Sequence, residues 1–381
     1  MLLLDGMEPL QSDYDFEKGA IKDPALRTLI TELGRRNPGL CVITTRVAAP
    51  ELSRYPQTCQ QIDLETLSAE AGAMLLKVRG TQGSDEALQQ ATAAFGFHAL
   101  AINLLATYLH EIPGHPIAAA AALPDLPNVP EAKGKHPRRI MAAFAEKLGK
   151  VAATELLHLL GLFSRPAELQ AIAAVIAKPP IPNLTDKLTG VREAAFLQAC
   201  ETLRRYKLLA PASSHSPDTL DCHPLVREHF GEKLRQQNPA AWQEAHRRLY
   251  EYYKNLPAKE LPDTLEEMEP LFAAVAHGCQ AGIHQKVIDE VYWPRINRSG
   301  EYFSMKKLGA FGADLAAVSN FFEKPWSKPA SGITDADKPL VLNWAGLFLR
   351  ALGRLAEASQ PMQAGMEASA QKEDWVGAAQ D

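Results

Sequence analysis

The chain has 381 residues, a formal net charge of −5, 46% hydrophobic and 22% charged residues, the balance of a globular protein large enough for about two to four domains. The acidic balance argues against a nucleic-acid partner, because Arg35-Arg36, Arg138-Arg139 and Arg204-Arg205 are runs too short to make a basic face and read as solvated helix surface. Cys41, Cys59, Cys200, Cys222 and Cys279 are far apart and form no CxxC pair, which argues against a disulfide framework or zinc site and for a reducing, cytoplasmic setting.

No apolar run reaches the roughly 18 residues that span a membrane. The opening MLLLDG lacks the basic flank and length of a signal peptide. It reads as a buried strand over Leu2–Leu4 that begins abruptly and ends on Asp5-Gly6. Asp23-Pro24 supplies an N-cap and first-turn proline for a helix carrying Leu26, Leu29, Ile30 and Leu33. Leu40 to Thr45 reads as a second buried strand, closed by Arg46, and Gln60 to Leu64 as a weaker third. Strand, helix, strand is the pattern of an α/β sheet.

Beyond residue 65 the strands stop. Ser68 to Leu76, Asp85 to Phe95 and His98 to His110 read as helices, and the proline-rich Ile112 to Pro137 as a linker or lid. Further helices are expected at Arg138 to Leu148, Thr154 to Phe163, Ala167 to Ile176 and Glu193 to Tyr206. A hairpin of Lys207–Ala210 with Thr219–Cys222 and a helix from Pro224 through Leu234 then give a winged-helix arrangement. From Pro239 the chain is helical. One apolar stripe is Trp242, Ala245, Leu249, Tyr252 and Leu256; another is Leu265, Met268, Leu271, Phe272 and Val275. Such pairs suggest a repeat scaffold. Gly346, Ala358, Met362 and Gly365 fall at the spacing of the packing residues of a tetratricopeptide repeat (TPR), and Asp374-Trp375 would begin another unit.

Two constellations carry chemistry. A strand delivering Asp5 to its tip, with Glu8 three residues on, suits a nucleotide-bound magnesium and a water-orienting acid. Alone, Asp-Gly after a strand is more often an ordinary turn. A strand ending in Thr44, Thr45 and Arg46 can sense a terminal phosphate through hydroxyls and a guanidinium fork. Alone, Arg46 reads more simply as a surface residue after a strand.

Together, LLLDGMEPLQ and PGLCVITTR resemble the Walker B and sensor strands of STAND (NB-ARC/NACHT-like) signal-transduction NTPases of the bacterial TPR-bearing type. HALAINLLATYL, LLHLLGLFSRPA and CHPLVREHF follow in the family's order. They are similar to its nucleotide-closing helix, the start of its winged-helix domain, and its diphosphate-reading histidine motif. The resemblance implies a mostly α chain with a small α/β remnant. It divides into a partial P-loop NTPase parallel sheet (1–65), a helical lid and linker (66–137), a winged helix (138–236), a helical linker or repeat region (237–334) and incomplete TPR-like α-solenoid repeats (335–381). It further implies that Asp5 holds magnesium, Glu8 orients water, Thr45 and Arg46 sense phosphate, His98 and Ala99 close over the nucleotide, and His223 contacts the β-phosphate of ADP. At that position an N-cap-adjacent residue before Pro224 is the simpler alternative.

The departures matter as much. No GxxxxGK[ST] string occurs in the sequence, so the amides and lysine that grip phosphate are missing. Phe97 stands where the closing helix expects glycine, with Gly96 one residue early; Ala99 replaces a proline, and Pro224 an acidic residue. The expectation is a chain shortened at both ends relative to the family, binding neither ATP/ADP nor Mg by itself and inactive alone, from a parent that is a slow NTPase switch. A sheet lacking its central strand should pair Leu2–Leu4 in parallel with Leu40–Thr45 and leave Gln60–Leu64 displaced or unpaired. A protein partner is expected on the TPR-like helices, and homo-oligomerisation of the parent. A helical scaffold without nucleotide is the alternative; DNA binding by the winged helix is the least supported. His110-Glu111-Ile112-Pro113-Gly114-His115 imitates HExxH, but its second histidine is one residue late and Pro-Gly breaks the helix.

Overall fold

The computed structural model describes residues 1–7, 10–11, 19–21, 23–45, 47–64, 66–124, 126, 134–214 and 216–371. The chain is mostly helical with a few short strands. It forms two compact units, residues 1–64 with 253–381 and residues 65–252.

In residues 1–64, β1 (Leu2–Leu4), α1 (Pro24–Arg35) and β2 (Cys41–Ile43) form one β-α-β crossover. β1 pairs with β2 in parallel, Leu2 opposite Cys41 and Leu4 opposite Ile43, as the apolar runs predict. Asp23 caps α1, its Oδ1 accepting from the Leu26 N–H at 2.7 Å. Met7, Ile21 and Ile30 form a small core against which Leu4, Leu26, Ile43 and Leu52 pack. Leu3 and Val42, on the other face, remain exposed. Gln60–Leu64 is no strand. Ile62 and Leu64 are 70% and 94% exposed, so their apolar side chains find no face to bury against.

The unit of residues 65–252 begins with α2 (Ala69–Val78), α3 (Asp85–Ala94) and α4 (Ala99–His110). Ser68 and Ser84 cap α2 and α3, accepting from the Ala71 and Ala87 N–H groups. The proline-rich stretch is partly ordered. Ile117–Ala122 makes 3-10 turns that bury Ile117 and Ala120, and Leu123 is buried after them. Next come α5 (Lys135–Leu148), α6 (Ala152–Leu160), β3 (Ala167–Glu168), α7 (Leu169–Val175), α8 (Glu193–Arg205), β4 (Thr219–Leu220), α9 (Pro224–Gln237) and α10 (Pro239–Asn255). The expected hairpin is corrected here. Thr219–Leu220 pairs antiparallel with Ala167–Glu168. Lys207–Ala210 is a turn whose Leu208 and Leu209 are buried, with the Ala210 N–H donating to the Asp221 carbonyl oxygen at 2.7 Å. The α10 stripe is also rotated. Ala241, Ala245, His246, Leu249, Tyr250 and Tyr253 are buried, while Leu256 is exposed.

Residues 253–371 add α11 (Leu265–Gln280) and α12 (His284–Val287), the latter running into a π-helix over Ile288–Asn297. α13 (Phe303–Leu308), α14 (Phe311–Ser319) and a hairpin of β5 (Phe322–Lys324) with β6 (Lys328–Pro329) follow. Leu265 is exposed, but Met268, Leu271 and Val275 of the second stripe are buried. Asp314 is wholly buried, accepting from Ser304 Oγ at 2.9 Å and from Tyr292 Oη; burial raises its carboxyl to about 7. The pair α15 (Lys338–Ala351) and α16 (Leu355–Gln371) ends the described chain. Gly346 lets α16 approach, since a side chain there would come within 2.5 Å of Met362 Cγ. Ala358 and Gly365 are buried in the same seam, as the TPR-like spacing predicts.

Two helical backbones approach closely between the end of α6 and α9. A methyl group at Gly231 would sit 2.6 Å from the Gly161 carbonyl oxygen, and one at Gly161 2.4 Å from the Gly231 nitrogen. Propensity alone favours alanine over glycine inside a helix by about 1 kcal/mol. Backbone cannot give way as a side-chain tip can, so Gly231→Ala is expected to destabilise by about 1–3 kcal/mol in urea unfolding, against that propensity.

His158 and His229 flank this contact, both edge-on to Phe230. Burial first, then nearby cations, holds His158 at about 4 and His229 at about 3. Both are neutral in the fold. As pH falls through about 6.5 the unfolded chain takes up protons that the folded chain refuses, so their contribution to stability is lost on acidification. Replacing both with leucine should therefore shift the stability difference from the parent by about 2.7 kcal/mol in the variant's favour between pH 7.5 and 5.5, read from urea unfolding at each pH.

Candidate functional site: a strand tip and three helix starts

The carboxyl end of the parallel pair holds Asp5, Gly6, Thr44 and Thr45. Thr44 Oγ1 donates to Asp5 Oδ1 and accepts from the Gly6 N–H at 2.9 Å. The ladder continues from Met7 N–H to the Thr44 carbonyl oxygen at 3.0 Å. Asp5 is exposed and so positioned at the tip, where open α/β sheets take their ligands. Thr45 is engaged differently. Its hydroxyl donates to Oε1 of the buried Gln11, whose amide in turn donates to the Gly19 and Val47 carbonyl oxygens at 2.8 Å each. Thr45 thus braces the loop after β2, and Thr44 is the hydroxyl beside the carboxylate. Glu8 and Arg46 lie outside the described residues.

His98, Ala99 and His223 belong to the unit of residues 65–252, where two contacts connect three helix starts. His98 is the N-cap of α4, with Nδ1 3.5 Å from the Ala101 N–H; burial lowers its imidazole below the ordinary value. Ala99 is the exposed first residue of α4. Just upstream, a side chain at Gly96 would come within 2.7 Å of the His136 ring in the first turn of α5. α5 itself starts on Gly134, left-handed and without a side-chain cap. A side chain at Gly134 would in turn meet Leu225, in the first turn of α9, at 3.1 Å. His223 caps α9, Nδ1 accepting from the Leu225 N–H at 3.2 Å. Helix starts carry partial positive charge and amide donors, the requirement for a bound phosphate.

The displaced glycine of the closing helix has a structural counterpart. Gly96 and Phe97 are both left-handed, φ +63° and +54°, and Phe97 is held there by its N–H to the Thr92 carbonyl oxygen and by its own carbonyl oxygen, which accepts from the Leu67 N–H. A bulky residue in that region costs on the order of 1 kcal/mol. Arg138 ties α5 to α9, bonding Glu228 and Glu232 at 2.7 Å each while itself only 7% exposed.

Sequence reasoning selected Thr45 where Thr44 faces Asp5, and missed Gln11, Gly134 and His136. For Gly134, a glycine opening a helix was the signal available. Among the described residues no three His, Cys, Asp or Glu side chains cluster as metal ligands. The His110 and His115 rings stack 4.4 Å apart at 21°, so their in-plane lone pairs run side by side and do not converge on a metal. A shallow cleft of about 400 Å³ beside Lys178, Arg247, Glu251 and Tyr252 is separate. Its central guanidinium, Arg248, is spent on the carbonyl oxygens of Val175, Ala177 and Pro179. Among the described residues no helix is long and apolar enough to cross a membrane.

No known family profile and no curated protein sequence matches the chain. Among solved structures it is similar to a Signal Transduction ATPase with Numerous Domains (STAND) protein with a tetratricopeptide repeat sensor from Pyrococcus horikoshii. The TM-score is 0.40 and the identity 14%, over 98% of this chain and 50% of that one. The chain thus spans about half the length of that protein, and a TM-score of this size carries neither activity nor partners across.

Two roles of His223 separate experimentally. If capping is its whole contribution, His223→Asp keeps or raises stability, because aspartate caps well, and His223→Ala costs about 1 kcal/mol. Urea unfolding of both variants reads this directly.

Proposed function

We propose that the chain is the switch and sensor portion of an ATP/ADP-regulated signalling NTPase of the STAND class, whose TPR-like helices receive a protein partner. The observation that carries the reading is the parallel register of β1 and β2, which sets Asp5 and Thr44 side by side at a sheet's carboxyl end. The joined starts of α4, α5 and α9 support it with a second phosphate-attracting element. On this reading residues 1–65 belong to a nucleotide-binding domain and 66–137 to its lid. Residues 138–236 are a winged helix that packs internally, and the helices beyond are linker and repeats.

An exposed carboxylate with an adjacent hydroxyl suits a nucleotide-bound magnesium, a hard cation that takes oxygen ligands. Asp5 would hold the ion, which when bound neutralises phosphate charge. Thr44 orients that carboxylate. His98 and His223 direct their ring nitrogens at helix starts and keep those amide ends ordered. His223 is exposed at the start of α9. The sequence supplies no phosphate loop, so this chain alone is not expected to hydrolyse or retain nucleotide.

A second reading, a helical interaction scaffold with no nucleotide role, is favoured by one observation: Nδ1 of both His98 and His223 is already used for capping. A thermal-shift titration with Mg-ADP separates the two readings. This chain should show no shift. The same protein extended upstream to include a phosphate loop should be stabilised by about 2.7 kcal/mol at 100 times its dissociation constant. There, Asp5→Asn should lower Mg-dependent hydrolysis by roughly a hundredfold, since a catalytic metal contributes several kcal/mol. No shift with the extended protein would sink the switch reading and leave the scaffold.

A further inference from the structure

Cys41 opens β2 and shares a face with Ile43, because strand side chains alternate. Ile43 packs on the core under α1 that includes Ile30. Gly34 lies one turn beyond Ile30 on that helix. Against Gly34 sits the Cys59 thiol, its Sγ 3.9 Å from the Gly34 carbonyl oxygen and 3.3 Å from where a side chain would begin. α1 returns the chain from the end of β1 to the start of the parallel β2. Its last turn, with Gly34, therefore lies at the end of the sheet where Cys41 begins. Cys41 and Cys59 are thereby placed at the same end of α1. Cys41 senses the neighbour: burial, then the charge of Cys59, pushes its thiol above the ordinary value.

Access separates this pair from the rest. Cys41 and Cys59 are half-buried and reduced, whereas Cys200, Cys222 and Cys279 are buried. Burial closes those three off from a small-molecule disulfide, and exchange requires access to the sulfur.

We propose that Cys41 and Cys59 are a redox-modified pair that closes to an intramolecular disulfide when it meets a small-molecule disulfide such as oxidised glutathione. The Cys59 thiolate attacks one sulfur of oxidised glutathione, forming a mixed disulfide and expelling one glutathione thiolate, which takes a proton. The Cys41 thiolate then attacks the Cys59 sulfur, the mixed bond breaks, and the second glutathione leaves and is protonated. The protein loses two hydrogens and two electrons; oxidised glutathione gains both and becomes two thiols. The bond encloses Thr44 and Thr45 in a ring with the loop that follows β2, and its formation does not depend on a nucleotide role for either.

The test treats the full chain with oxidised glutathione, titrates thiols after denaturation and maps non-reduced peptides. The count should fall from five to three, with one link, within one chain, between the peptides carrying Cys41 and Cys59, reversed by dithiothreitol. C41S and C59S should each end with a glutathione adduct on the remaining thiol and no link. The mapping on the unaltered chain stands whether or not the variants fold. Five thiols surviving treatment, adducts on both cysteines without a link, or a link to another chain or to a third cysteine would each overturn the proposal.

Discussion

Where α6 ends against α9, two backbones meet with no side chain between them. Gly161 and Gly231 make that possible, and the start of α9 is positioned by it. Arg138 then draws α5 to the same helix through two glutamates. With α9 and α5 fixed, the glycines at 134 and 96 let the starts of α5 and α4 close in. Helix ends packed this closely have no tolerance for a helix standing one methyl group too far out.

The same fixation explains the neutral histidines. His158 and His229 sit beside the close contact, where there is no room for solvent around a charged ring. Their depressed values are a consequence of packing and carry no sign of catalysis. In residues 253–371 burial acts in the opposite sense on Asp314, whose carboxyl is raised. Both cases follow one rule: a group taken from water retreats to its neutral form.

Most helices were legible because apolar period and capping residue agreed. Ser68, Ser84 and Asp23 stand where caps are needed, and the strand pair was legible as short apolar runs closed by Asp-Gly and Thr-Thr. The two-residue ladder of Ala167–Glu168 with Thr219–Leu220 was not, since its partners are some fifty residues apart and neither carries a strand pattern. Lys207–Ala210 misled because Leu208 and Leu209 are apolar for burial in a turn. On α10 the aromatic Trp242 and Tyr252 suggested a core face, but large amphipathic rings can lie half-exposed, and the true face is rotated by about one residue. At the candidate site, Asp5 and His223 were legible as strand tip and helix start. The role of Thr44 was not, because two adjacent threonines point to opposite sides and sequence alone does not say which side holds the carboxylate.

The π-helix at Ile288–Asn297 is a register device. Its wider turn takes more residues than an α-helix for each rotation, so it sets the azimuth of the chain that leaves it. Arg298, Ser299 and Tyr302, all left-handed, complete the change of direction toward α13. Families that gain or lose one residue in this stretch would therefore redirect every helix downstream while leaving the packing of each pair intact. Counting, more than chemistry, decides which way the terminal helices look.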